Sequence, residues 1–73
     1  MSIDNLKKVR DHLVERRNEA AEHACTFIDA GNEHATSGRV DEIVSMQEKI
    51  EVGDRAIADA EKSGYTYAIL NNL

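Results

Sequence analysis

The run Val40-Asp-Glu-Ile43-Val-Ser-Met46-Gln-Glu-Lys-Ile50-Glu-Val-Gly53-Asp-Arg-Ala-Ile57-Ala-Asp-Ala60 decides the fold. Ile43, Ile50 and Ile57 recur at seven-residue steps, and Met46, Gly53 and Ala60 repeat that step three residues further on. Two apolar lines at this spacing make a narrow stripe that a helix keeps against a partner helix. Gly53 in the middle of the stripe costs roughly 1 kcal/mol of helix propensity. Its place there predicts that another backbone comes close.

A partner helix is written earlier in the chain. Leu6, Leu13, Ala20 and Phe27 also fall at seven-residue steps, with Ile3, Val9, Ala24 and Ile28 beside them. Ser2 and Asp4 are good N-caps, and Gly31-Asn32 offers the left-handed residue that ends a helix. The polar run Gly31-Asn-Glu-His-Ala-Thr-Ser-Gly38 reads as a connection, with Thr36 or Ser37 capping the second helix. That helix should stop at Ser63-Gly64. The last stretch, Tyr65-Thr-Tyr67-Ala-Ile-Leu-Asn-Asn-Leu73, is uncharged and rich in β-branched and aromatic residues, which suits an extended arm or short strand docked on a neighbouring chain.

The expected architecture is therefore all-α. One domain over 1–73 holds a first helix over about 3–30, a loop over 31–38, a second helix over about 39–63 and an arm over 64–73. Two helices joined by a short loop form an antiparallel hairpin. At 73 residues, with Cys25 the lone cysteine and three aromatics, the chain has little core and no internal disulfide. Self-association into a homo-oligomeric helical bundle is the expected remedy. A single cysteine fits a reducing cytosol, and the charged start, Met1-Ser-Ile-Asp4, predicts neither signal peptide nor membrane contact.

The net charge of −5 argues against duplex nucleic acid as a partner. The charge is uneven: Lys7, Lys8, Arg10, Arg16 and Arg17 crowd the first helix, whereas Asp41, Glu42, Glu48, Glu51, Asp54, Asp59 and Glu61 make the second acidic. Arg10 and Arg17 fall within the apolar stripe of the first helix at about 100° per residue. A hairpin turning near residues 35–36 would set Arg17 level with Asp54 and Arg10 with Glu61, giving two cross-hairpin ion pairs. Alternatively, the same arginines line a pocket between subunits for an anion. Arg16, Lys7 and Lys8 read as solvated.

Other chemistry is sparse. His12, His23 and His34 lack the glutamate three residues upstream that di-iron bundles use, and zinc has no paired cysteines, so no metal or other cofactor is expected. Cys25 and His23 sit two apart on one helix and point apart, which leaves Cys25 as a packing residue. No phosphate-binding glycine loop is present, and no enzyme is expected. Tyr65 and Tyr67 near an arginine-bearing helix could stack nucleobases while the cations meet phosphate, or simply anchor the arm.

The run from Ile50 to Ala60, and Ala21-Glu-His-Ala-Cys-Thr-Phe-Ile-Asp29 before it, resemble small phage proteins that sequester cyclic oligonucleotide immune signals, the anti-CBASS sponges. The resemblance covers about residues 20–60, and Asp54 stands where that family carries an aromatic. It implies a non-enzymatic oligomer, often a hexamer, with ligands held between subunits. The first functional expectation is thus a phage-type anti-defence protein binding a cyclic nucleotide, with Arg10, Arg16 and Arg17 for phosphate and Tyr65 and Tyr67 for bases. The second is a protein-interaction module, an inhibitor or adaptor covering a host protein with the acidic face at Glu48, Glu51, Asp59 and Glu61 or with its arm.

Overall fold

A computed structural model describes the backbone of residues 3–71 and the side chains of residues 3–63. Helix α1 spans Ile3–Asp29 and helix α2 spans Glu33–Asn71. They lie against each other as a hairpin 63 Å long and about 15 Å across. No strand occurs among the described residues.

The connection is far shorter than the polar run suggests. Gly31 takes φ +71°, the left-handed conformation that glycine enters without steric cost. The Asn32 N–H donates to the Phe27 carbonyl at 2.9 Å and the Gly31 N–H to the Ile28 carbonyl at 3.0 Å. These two reversed bonds close α1. Asn32 then opens α2. Its Oδ1 accepts the Ala35 N–H at 3.1 Å, while its carbonyl accepts the Thr36 N–H at 3.0 Å. One residue ends one helix and caps the next, so the expected loop over 31–38 and the caps at Thr36 or Ser37 are corrected. Gly38 lies inside α2. Replacing Asn32 with alanine should cost about 1 kcal/mol, a fall of roughly 4–8 °C in Tm for a domain of this size. An unchanged melting curve for Asn32→Ala, beside a matching Asn32→Asp control, would show that the cap carries no energy.

The apolar lines meet as their spacing predicts. Ala20, Ala24, Ile50 and Ile57 are buried, with Ala20 only 2% exposed. Leu6, Leu13, Phe27, Ile43, Met46, Gly53 and Ala60 are half-buried along the same seam. Cys25 is exposed, so it is not a packing residue. Val9 and Ile28, each 60% exposed, and Val40, Val44 and Val52 stay outside the seam.

Two further expectations change. The second helix does not stop at Ser63-Gly64 but runs on to Asn71, so the arm over 64–73 is helical as far as it is described. Helix propagation adds one backbone hydrogen bond per residue once a helix exists. That gain overrides the β preference of Tyr65, Thr66 and Ile69. With 39 residues against 27, α2 extends past Ile3, the first described residue of α1. The side chains of Tyr65 and Tyr67, and with them the expected docking of the arm and stacking on bases, lie outside the described residues. At Gly53, a β-carbon would meet the Arg10 Cβ at 3.8 Å and Cγ at 3.9 Å, ordinary contact distances. The α1 backbone therefore does not need the space that glycine leaves.

Candidate functional site

The cationic residues of α1 that carried the binding expectation stand along the two edges of the hairpin. Arg10, 29% exposed at its side chain, donates from Nη1 to Asp54 Oδ1 at 3.0 Å and from Nε to Asp11 Oδ1 at 2.7 Å. Asp54 first, then Asp11, pushes the Arg10 guanidinium further up from its already high range, because each accepts a hydrogen bond from the charged form. One heptad along, Arg17 donates from Nη1 to Gln47 Oε1 at 2.8 Å, and Gln47 in turn donates to Glu51 at 3.3 Å. Lys7 reaches Glu61 at 3.4 Å toward the open end. Near the turn, Glu42 accepts from Arg39 at 2.9 Å and pairs with Arg16 at 3.6 Å.

The expected pairs were Arg17 with Asp54 and Arg10 with Glu61. The observed ones are Arg10 with Asp54 and Lys7 with Glu61, which leaves Arg17 to an amide. The cause is the turn. Folding at Ala30–Asn32 instead of near residues 35–36 moves the register by one heptad, so the same seam residues still face inward. Arg16 and Lys7 are likewise not simply solvated, since each holds a carboxylate of α2.

These contacts are exposed or half-exposed ion pairs, which screen readily and contribute little stability each. Chemically, they occupy the groups proposed for phosphate. An anion at Arg10 or Arg16 would have to displace Asp54 or Glu42. Arg17 differs: its side-chain partners, Gln47 and Asn18, are neutral amides, so its charge is not cancelled by a carboxylate contact among the described residues. No group of three or more histidine, cysteine, aspartate or glutamate side chains comes together for a metal among the described residues. No described helix is long and apolar enough to cross a membrane.

A concavity lies elsewhere, at the turn. Ile28, Gly31, Asn32, Glu33, Thr36, Ser37 and Val40 line an open groove of about 520 Å³. Sequence reasoning missed it because it placed residues 31–38 in a loop. The available signal was Val40 and Val44, four apart on one helix and off the Ile43–Ile50–Ile57 line. A second hollow at the open end is lined by Asp4, Lys7, Lys8, Asp11, His12 and Glu15, acids and lysines together. Arg10 and Arg17 thus stand one heptad apart on α1, each with its own partners, and neither lines either of these two hollows among the described residues. No protein-family model, curated protein or solved structure matches this chain.

Proposed function

We propose that this chain is a non-enzymatic protein-interaction module that works as an assembly of hairpins. The observation that carries the reading is the thinness of the core beside the apolar surface that stays uncovered. Among the described residues four are buried, while five large aliphatic side chains, Val9, Ile28, Val40, Val44 and Val52, face outward. A chain this small gains too little from so few buried groups to hold a long hairpin alone. Association supplies the missing apolar contact, and the acidic outer side of α2, with Glu48, Glu51 and Asp59 exposed, is the surface left for a protein partner.

A second reading, capture of a cyclic nucleotide between subunits, keeps one specific support: the uncompensated charge of half-buried Arg17. One experiment separates the two. The thermal midpoint is followed against protein concentration, then against a panel of cyclic di- and trinucleotides. The interaction module predicts a midpoint that rises with protein concentration and ignores every nucleotide. A ligand that binds only the folded state adds roughly 2.7 kcal/mol at a hundredfold excess over Kd. A selective rise of that kind, lost in Arg17→Ala, would overturn the first reading in favour of the second. A midpoint independent of concentration, with the protein monomeric in the ultracentrifuge, would sink self-association.

A further inference from the structure

The negative charge of the chain is concentrated at one end of the hairpin. Residues 20–45, the end that carries the turn, hold five carboxylates, Glu22, Asp29, Glu33, Asp41 and Glu42, against one cation, Arg39. Four of the five net negative charges therefore lie at this end, while the rest of the chain has nine acids against eight lysines and arginines. Arg39 is itself engaged by Glu42, which Arg16 also reaches. Glu22, Asp29, Glu33 and Asp41 are exposed and take no ion pair among the described residues. Asp29 also stands at the C-terminus of α1, where the negative end of the helix dipole disfavours an acid, and no basic residue accompanies it in that last turn. The fold gains nothing from this carboxylate.

The same end holds the open apolar groove. Ile28, 60% exposed, and Val40, 45% exposed, are its apolar walls, and Val44, one turn beyond Val40 on the same face, is 52% exposed. Glu33 lines the groove as well, and Asp29 and Asp41 directly follow Ile28 and Val40 in the chain. The Thr36 hydroxyl on its wall already donates to the Asn32 carbonyl at 2.8 Å. At about 520 Å³ the groove is large enough to take a bulky apolar side chain. The carboxylates around it do not converge as a metal site would, since no group of three or more gathers for an ion among the described residues. An apolar hollow rimmed by separated acids complements the inverse pattern, an aliphatic anchor flanked by lysine or arginine. A second copy meeting turn to turn would set acid against acid, and an anionic nucleic acid would be repelled.

We propose that the turn end of the hairpin docks a basic amphipathic helix of another protein, its apolar side chains entering the groove lined by Ile28 and Val40 and its cations meeting Asp29, Glu33 and Asp41. The proposal rests on the interaction-module reading above and gives that module a partner of stated chemistry, at a place distinct from the outer side of α2. Val9 and Val52, which do not line the groove, remain for contacts between copies.

The test uses the full chain and two synthetic peptides with leucines at helical spacing, one completed with lysine and the other with glutamate. Binding is read from the fluorescence anisotropy of the labelled peptide, and the helicity of each variant from circular dichroism. The leucine–lysine peptide should bind, more weakly as salt rises, and the leucine–glutamate peptide should not. Asp29→Asn with Asp41→Asn, and separately Ile28→Ser with Val40→Ser, should each weaken binding about tenfold or more. All four side chains are exposed, so these variants keep the fold. Glu15→Gln with Glu19→Gln, the same change of charge on α1 outside the groove, should leave binding unchanged. The proposal is overturned if the two peptides bind alike, if the turn variants bind as the wild type does, or if the α1 control weakens binding as much. Failure of the lysine peptide to bind a wild type that still associates in the ultracentrifuge overturns this contact and leaves self-association standing. A wild type that binds the lysine peptide while monomeric supports the contact and overturns self-association alone.

Discussion

Ile50→Ala is expected to abolish the folded state at micromolar protein, with helical circular dichroism lost at 25 °C rather than a melting curve displaced by a few degrees. Ile50 is 4% exposed and sits at the centre of the seam, among only four buried residues in the described chain. Truncating a buried isoleucine to alanine costs about 2–5 kcal/mol, from lost transfer energy and the cavity left behind. A single core of this size supplies no more than roughly 3–5 kcal/mol in total. The loss is therefore as large as the stability it is subtracted from. Ile43→Ala is the control, since Ile43 is only half-buried on the same line and less contact disappears. A folded Ile50→Ala protein with a modestly lowered midpoint would mean that the isolated hairpin seam is not what holds the chain.

The opposite effect is expected from filling two helical glycines. The double variant Gly38→Ala with Gly53→Ala should be more stable than wild type by about 1–2 kcal/mol, because each glycine inside a helix costs roughly 0.5–1 kcal/mol relative to alanine. A β-carbon at Gly38 meets nothing within 4 Å, and one at Gly53 meets only the Arg10 side chain at 3.8 Å. The two sites are fifteen residues apart on α2, far enough for their effects to add. A rise in Tm on the order of 10 °C would follow. Gly31 is excluded from this set because its φ of +71° penalises any side chain. Should Gly38→Ala stabilise and Gly53→Ala destabilise, another molecule rather than α1 must approach α2 at Gly53.

The seam was legible because isoleucine every seven residues leaves a helix little choice of face. Ile50 and Ile57 are buried where that spacing puts them. The end of α1 was legible for a similar reason, since Gly31 is the residue that the left-handed closure wants. The start of α2 was not. Gly31 to Gly38 carries turn-forming residues at both ends, and propensity alone makes a loop of it. What shortens it is a pair of bonds at Asn32 that no composition reveals. The tail was misjudged because β preference depends on neighbours, which a strand needs and a continuing helix does not. At the charged edge, the types of partner were readable but the identities were not. Arginine within a stripe must find an acceptor. Which acid it finds depends on the turn, and a change of register by seven moves Asp54 from Arg17 to Arg10. The outward apolar residues Val40, Val44 and Val52 were lost to view because they lie off the repeating lines.

The three-residue turn also bears on how this chain can change length over generations. Adding one residue between Asp29 and Glu33 would swing the isoleucine line of α2 about 100° away from α1. Adding seven would bring it back to within about 20°, with every charged contact reassigned to a new partner one heptad away. Descendants of this sequence should therefore differ in their turns by sevens far more readily than by ones. Each such step would keep the interior and redraw the exterior, giving one ancestral hairpin several distinct outer surfaces without a single substitution in its core.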